Sequence, residues 1–335
     1  MKRFYFVLAV ILAVVCTICS CATGASDAVS AVLGKSSEAP LFLSCKAVSD
    51  TEIDFQFTHP VKVTSLHFSP AIQLEAVEDG STVRVSFSEG PGPGERLTVD
   101  LLAEDDKGNT INVLVPLRTR NNRIPELRIN ELRTENSKPR YEFIEFKTFS
   151  PGNLGALRVF VAGNSKNPLL YEFPSIEVKN GEYITLHLRT TEEGCRDELG
   201  SNLAESGGTD SSPTGRDLWI PGSAKLLHKT DIVYLLDQDD QVVDAVILSE
   251  NADLWWNKDY LAEAAEFLFK AGSWKSRDGK ICGPADAVQS TGTTATRTIC
   301  RDEALAGNSC SAADWYITAT SSATPGGPNN PKRYN

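Results

Sequence analysis

From residue 40 to about residue 122, apolar and polar side chains alternate in short runs separated by turn-forming residues. The clearest run puts three apolar side chains on one face and three polar ones on the other: Ile53, Phe55 and Phe57 against Glu52, Asp54 and Gln56. A period of two is typical of a half-buried β-strand. Clusters of glycine, proline and aspartate between the runs predict turns. The pattern therefore predicts an all-β sandwich over residues 40–122.

A second series of strand-like runs follows a linker at residues 121–125. The runs are short, apolar and bounded by turn residues, and they lie at residues 127–132, 143–146, 157–161, 176–186, 231–237 and 241–246. Asn180-Gly181 and Asp239-Asp240 supply turns between apolar runs. The pattern predicts a second β-domain over residues 125–330.

Two segments interrupt the strand pattern of this second domain. Residues 190–222 are polar and rich in glycine, serine and aspartate, and they are too long for a plain loop between strands. Residues 250–285 contain a predicted helix that Asp259 can cap and Gly272 can stop. Its apolar positions form one stripe: Leu261, Ala264, Ala265 and Leu268. We expect both segments to be insertions in a β-sandwich.

The N-terminus has the pattern of a bacterial export signal. Lys2 and Arg3 precede an uninterrupted apolar run over residues 4–15. Spanning a bilayer takes about 20 apolar residues, so this run is too short for a transmembrane helix. A short basic region followed by such a run is typical of a secretory signal peptide. The sequence therefore predicts an exported protein.

Ile18-Cys19-Ser20-Cys21 follows the apolar run and resembles the bacterial lipobox, in which the final cysteine receives a lipid. The resemblance implies a signal peptide over residues 1–20 and lipidation of Cys21. Residues 21–39 are small and polar, which predicts a flexible tether. The expected location is then a membrane, facing the periplasm or the cell surface. The alternative is an ordinary signal cleaved near residues 22–25, which would release a soluble protein.

The net charge of the chain indicates which classes of partner it can bind. The whole chain carries a formal net charge of −11, and loss of Lys2 and Arg3 with the signal peptide takes it to −13. An acidic protein repels the phosphate backbone of nucleic acids, so a nucleic-acid partner is disfavoured.

Five cysteines follow Cys21, and four of them lie in the second domain: Cys195, Cys282, Cys300 and Cys310. Cysteines of exported proteins commonly form disulfides, and four cysteines allow three pairings. We expect two disulfides that tie the insertions to the sandwich. Cys45 has apolar neighbours and is expected to be a buried strand thiol. The four spacings contain no C-x-x-C pair, which disfavours a metal site.

Two family resemblances agree with this domain division. Residues 40–122, with the runs "SDTEIDFQFTHPVKV" and "LTVDLLAEDDKGNTINVLVPL", resemble bacterial immunoglobulin-like domains of surface proteins. Residues 125–330 resemble the lamin tail domain, through "INEL", "YEFIEF", "DIVYLLDQDDQVVDAV" and a closing "W…TPGGPN" in that order. The resemblances imply two tandem immunoglobulin-like β-sandwiches in a bacterial lipoprotein.

The chain contains few residues that could form a catalytic site. Its histidines follow no H-E-x-x-H pattern, and no G-x-S-x-G motif occurs. His187 alternates with Leu186 and Leu188, which predicts a solvated strand residue. Glu142 and Glu145 lie three apart on one strand and should face opposite sides. We expect a protein that is not an enzyme; the alternative is a hydrolase site hidden in the insertions.

Four aspartates surround one predicted hairpin: Asp237, Asp239, Asp240 and Asp244. Carboxylates could bind calcium there. The competing interpretation is a turn with a solvated rim, so we expect no metal or other cofactor. 

Trp255, Trp256 and Phe267 are the large apolar side chains of the second insertion. The two tryptophans could fasten the helix to the sandwich or form an exposed platform for a protein or a sugar. Function on a common scaffold usually resides in what a chain adds to it. The expected function is non-catalytic binding, adhesion or scaffolding at the cell envelope. A nucleic acid or carbohydrate bound by the lamin-tail-like domain is the other hypothesis.

Overall fold

The computed structural model describes residues 38–305 and 307–334. They form a mostly β structure with antiparallel and mixed sheets and, within these residues, one α-helix. The signal peptide, the lipidation site at Cys21 and the tether lie outside the described residues. No helix between residue 38 and residue 334 is both long enough and apolar enough to cross a membrane. The described residues divide into two compact units.

Unit 1 comprises residues 38–91 and Arg96–Thr119 and is built of strands. The strands are β1 (Phe42–Ala47), β2 (Glu52–Ser69), β3 (Leu74–Glu78), β4 (Gly80–Phe87), β5 (Arg96–Glu104) and β6 (Thr110–Arg118). They pair in the order β3-β4-β2-β5-β6, and β1 also pairs with β2.

Strand β2 is 18 residues long, and its two parts pair with different strands. Its first part pairs with β1 and β4, and its second part, from Lys62 onward, pairs with β5. The positions predicted to share one face, Ile53, Phe55 and Phe57, are buried, and so are the alternating Val83, Val85 and Phe87 of β4. Side chains from both halves meet in one apolar core. The period-two pattern is thus confirmed for these strands.

Unit 2 comprises Gly92–Glu95 and the described residues from Arg120 onward. Its strands are β7 (Leu127–Arg133), β8 (Phe143–Thr148), β9 (Gly152–Asn153), β10 (Arg158–Val161), β11 (Leu169–Glu172), β12 (Glu177–Val178), β13 (Tyr183–His187), β14 (Arg216–Trp219), β15 (Asp231–Leu236), β16 (Val242–Ser249), β17 (Val288–Gln289), β18 (Ile299–Arg301) and β19 (Trp315–Ile317). The larger sheets have the orders β14-β13-β8-β7-β18-β19 and β11-β10-β15-β16-β17. A single large core contains apolar side chains of both sheets.

The predicted helix is present as α1 (Asp259–Lys270). Asp259 is its first helical residue and not its cap, because Lys258 occupies the N-cap position, without a side-chain capping bond; Gly272 follows the end of the helix. The predicted stripe of Leu261, Ala264, Ala265 and Leu268 is buried in the core of unit 2. Burying a leucine side chain contributes about 1.5–3 kcal/mol, and Leu261 and Leu268 are both buried, so the stripe fixes α1 against the sheet that contains β15 and β16.

The first insertion differs from its prediction. Residues 190–222 end in strand β14, which pairs in parallel with β13 at the edge of the six-stranded sheet. The polar segment is therefore a long loop whose last part adds an edge strand to the sheet. Its composition concealed the strand, because only four residues, Arg216–Trp219, carry it.

Candidate functional site

The second insertion gives its two adjacent tryptophans opposite environments. Trp255 is 81% exposed, whereas Trp256 is partly buried against the core of unit 2. The indole Nε1 of Trp256 donates a hydrogen bond to the backbone oxygen of Cys282 at 2.9 Å. Trp256 thus fastens the segment before α1, and Trp255 is left facing solvent.

Two hydrogen bonds and one close backbone approach hold the segment that carries Trp255. The amide of Ala285 donates to the carbonyl of Asp253 at 3.0 Å, and the amide of Asp253 donates to the side chain of Asn251 at 3.2 Å. A Cβ atom at Gly283 would lie 2.4 Å from the carbonyl oxygen of Leu254, so only glycine allows this approach. Trp255 therefore projects from a segment whose backbone is held on both sides.

Two grooves meet at Trp255. The first, of about 690 Å³, we call the polar groove; its walls include Glu250, Asn251, Asp253, Asn257 and Lys258 beside Trp255, Trp256 and Tyr260. The second, of about 710 Å³, we call the apolar groove; it is lined by Leu254, Trp255, Phe269 and Ile281, with charged residues at its rim. Leu254 is 73% exposed and Ile281 is 50% exposed. Together with Trp255 they form a contiguous apolar surface.

Opposite charges balance within the polar groove. Glu135 pairs with Lys225 at 2.9 Å, and Glu250 lies 3.8 Å from Lys229. The hydrogen bond with Asp231 raises the pKa of His228 at the groove wall. 

Three further polar side chains of this groove, Asp253, Asn257 and Lys258, make no hydrogen bond or ion pair within the described residues. Their donors and acceptors are available to a ligand.

Phe267 lies elsewhere than the tryptophans. It is 38% exposed on α1, its ring centroid is 5.7 Å from that of Tyr234, and it lines neither groove. Of the three aromatic residues predicted for a binding surface, the structure gives only Trp255 a largely exposed side chain.

A second polar cluster, which the sequence did not reveal, lies inside unit 2. Glu131 and Glu145 are paired across β7 and β8, so their carboxylates share one face, and both are fully buried. Burial away from water raises the pKa of both carboxyls, and the charge of Glu131 raises that of Glu145 further. Glu142 lies just before β8 and pairs with Arg189 at 2.7 Å, whereas Glu145 lies opposite Glu131 across the two strands.

The C-terminal segment supplies backbone donors to both carboxyl groups, in addition to the side-chain donors Asn130 and Thr298. The amide of Thr324 donates to Glu131 at 3.1 Å, and the amide of Gly326 donates to Glu145 at 2.5 Å. Gly326 has a φ of +76°, and a Cβ there would lie 2.2 Å from the Cβ of Ser212, so the position requires glycine. Asn329 donates to Asn130. The segment therefore closes over the carboxylate pair, which no solvent-borne substrate can reach.

The prediction of a solvated His187 is wrong. Its side chain is 4% exposed, its Nε2 lies 2.7 Å from Oδ1 of Asp217, and its ring stacks on Trp219 at 3.8 Å. The partner comes from β14, thirty residues later and adjacent in the sheet. Asp217 also accepts from the amide of Ser212, so the pair fixes the returning end of the first insertion.

The described cysteines are free thiols, so the two expected disulfides are not formed in this structure. The Sγ of Cys195 and the ring of Trp219 both lie against Gly208. Cys282 lies 3.7 Å from the carbonyl oxygen of Trp274, and burial raises its pKa to about 11. Cys300 is buried beside Glu131, and its pKa is also raised by burial. Cys45 is partly rather than fully buried.

The four hairpin aspartates do not form one cation site. Asp237 accepts hydrogen bonds from the amides of its own turn, while Asp239 pairs with Arg120 and Asp240 pairs with Arg158. Asp244 is buried and pairs with Arg301 at 2.6 Å. Among residues 38–305 and 307–334, no three acidic, histidine or cysteine side chains are grouped as metal ligands.

Comparison with known proteins assigns the family. Residues 125–317 match the model of the family TP_1001_2nd, described as "protein second domain", and this match spans more than half of the chain. The chain belongs to this family. It is also 25% identical over 223 residues to a protein of Treponema pallidum (strain Nichols) named only "Uncharacterized protein". That alignment covers 62% of this chain and 56% of the relative, so the chain spans little more than half the length of the curated protein.

A solved structure, the N-terminal part of the bacterial S-layer protein SbsC, is also similar, with 14% identity and a TM-score of 0.24. The match covers 63% of this chain and 44% of the solved chain. A likeness of this size says nothing about fold or function.

The two tryptophans should respond differently to truncation. Trp255→Ala should change the free energy of unfolding by less than about 0.5 kcal/mol, because the side chain is exposed. Trp256→Ala should cost about 2–4 kcal/mol, because it removes packing and leaves the carbonyl of Cys282 without its donor. Urea unfolding of both variants measures the difference. Equal losses would contradict the assigned environments.

The buried carboxylate pair should make stability depend on pH. Since the folded-state pKa of Glu145 lies above its ordinary value of 4.5, its contribution is fully present below pH 4.5 and is lost as pH rises toward the folded-state pKa. Glu145→Gln should reduce this loss, which one group can bring to about 1.4 kcal/mol per pH unit. Unfolding free energies between pH 5 and pH 9, with the exposed Glu263→Gln as control, measure it. A parallel pH profile for Glu145→Gln and the wild type would refute the assignment.

Proposed function

We propose that this member of the TP_1001_2nd family is a non-catalytic binding module of the bacterial cell envelope. In this proposal a lipid on Cys21 holds the protein at a membrane, facing the periplasm or the outside, and unit 2 captures a partner through Trp255. Each unit is an immunoglobulin-like β-sandwich, and unit 2 is of the lamin-tail type. The alternating strands of unit 1, and the ordered motifs of unit 2 that end in "TPGGPN", support this finer assignment.

One observation carries the binding role: Trp255 is 81% exposed although the neighbouring Trp256 is fastened to the core. An indole in water forgoes the stabilisation of burial, about 1.5–3 kcal/mol for a large apolar side chain. A partner that covers Trp255 would recover this free energy of burial. Tryptophan is also enriched among the residues that dominate binding energy at interfaces.

The interior polar groups support a non-catalytic role. Glu131 and Glu145 accept hydrogen bonds from the amides of Thr324 and Gly326. His187 is hydrogen-bonded to Asp217 and stacked on Trp219. These groups hold segments together beneath the surface. The residues around Trp255, by contrast, are open to solvent.

Lipidation is tested at its acceptor. Cys21→Ala should move the protein from the membrane fraction to the soluble fraction and abolish incorporation of a fatty-acid analogue, because the acylated thiol is removed. Cys19→Ala is the matched control and should keep both properties. Continued labelling of Cys21→Ala would contradict the proposed anchor.

Binding is tested with purified protein, residues 38–335, and isolated cell envelopes in a sedimentation assay. The wild-type protein should cosediment, and Trp255→Ala should weaken cosedimentation about tenfold or more, since loss of a central aromatic contact typically costs 2 kcal/mol or more, about thirtyfold. Phe149→Ala, which removes a 39% exposed aromatic ring outside both grooves, is the control and should bind as the wild type does. Equal binding by all three proteins would overturn the role of Trp255.

A further inference from the structure

We infer that the polar groove beside Trp255 binds an uncharged saccharide chain. This inference rests on the proposed binding function and names the ligand of that same site. The groove combines exposed or half-exposed aromatic rings with polar side chains that have unused hydrogen-bonding capacity. These are the two kinds of contact that a sugar ring requires at once.

A pyranose ring has apolar C–H faces and a rim of hydroxyl groups. Aromatic side chains provide a flat apolar surface for such a face. Trp255, Trp256 and Tyr260 line the polar groove, and Trp255 is 81% exposed. A sugar ring stacked on Trp255 would shield the indole from water.

The hydroxyl rim needs partners that both donate and accept. An amide such as Asn257 does both, a carboxylate such as Asp253 accepts, and an ammonium such as Lys258 donates. All three side chains face the groove without a hydrogen-bonding partner in the described residues. Buried polar groups of a ligand must be hydrogen-bonded, so this set suits hydroxyl groups better than it suits an apolar peptide.

The charge balance of the groove selects an uncharged ligand. Three carboxylates and three ammonium groups line it: Glu135, Glu250 and Asp253, with Lys225, Lys229 and Lys258. Two of these pairs already neutralise each other across 2.9 and 3.8 Å. The imidazole of His228, which also lines the groove, lies 3.5 Å from the buried carboxylate of Asp231. An anionic or cationic ligand would therefore find no excess of opposite charge.

Size and rigidity agree with this ligand class. The groove volume of about 690 Å³ falls within the range of about 300–1,000 Å³ common for small-ligand sites. The segment with Trp255 is fixed by Trp256, Ala285 and Gly283. A fixed segment loses little freedom on binding, which favours affinity.

The test is isothermal titration calorimetry of residues 38–335 with four neutral tetrasaccharides: cellotetraose, maltotetraose, mannotetraose and chitotetraose. At least one should bind with a Kd of about 1 mM or tighter. Trp255→Ala should weaken that binding at least tenfold, and Asp253→Ala and Asn257→Ala should weaken it about 3–10-fold each. Phe149→Ala should bind as the wild type does.

Two results would overturn the inference. One is the absence of binding by all four sugars at about 10 mM, roughly ten times the expected Kd. The other is binding that weakens with Ile281→Ala, in the apolar groove, and not with Asn257→Ala.

The cosedimentation assay with cell envelopes distinguishes a failure of this inference from a failure of the proposed function. The tetrasaccharide that binds in calorimetry, added in excess, should abolish Trp255-dependent cosedimentation, and protease treatment of the envelopes should not. The reverse result would assign the surface to a protein partner: the saccharide inference would fall, and the binding function would stand.

Discussion

The fold of unit 2 depends on two carboxylates that face each other across β7 and β8 without contact with water. Burying Glu131 and Glu145 would be unfavourable unless donors reach them. Side chains of the sheet region, Asn130 and Thr298, supply some donors. The backbone amides of Thr324 and Gly326, near the end of the described chain, supply the others. The two strands and the C-terminal segment therefore stabilise one another, and neither arrangement is complete without the other. The same logic recurs at Asp217, which joins His187 on β13 to the returning end of the first insertion.

This dependence explains how unit 2 accommodates two large insertions. The first is held at its end by a strand, β14, and by buried polar contacts. The second is held by apolar packing: Leu261, Ala264, Ala265 and Leu268 join α1 to the core. Since each insertion has its own attachment to the core, the exposed side chains between these attachments contribute little to the stability of the fold. Trp255 is such a residue, and its neighbours Asp253 and Asn257 are as well.

Periodic patterns allowed much of the architecture to be predicted, and individual contacts did not follow from them. The faces of Ile53, Phe55 and Phe57 and the stripe of α1 could be predicted because a period reports burial directly. The opposite environments of Trp255 and Trp256 could not, because adjacent residues in an irregular segment have no period. Glu131 and Glu145 were missed because their meeting depends on strand register. His187 was placed in solvent because its partner is distant in sequence.

Adjacent residues with opposite roles also constrain how this surface can change over evolutionary time. Trp256 determines where its neighbour stands, so a replacement at Trp255 alters what is contacted while leaving the position of the contact unchanged. The segment can thus exchange one projecting side chain for another without repositioning the groove walls. In the proposed binding role, specificity and stability are therefore encoded by separate codons, and selection can act on the first without disturbing the second.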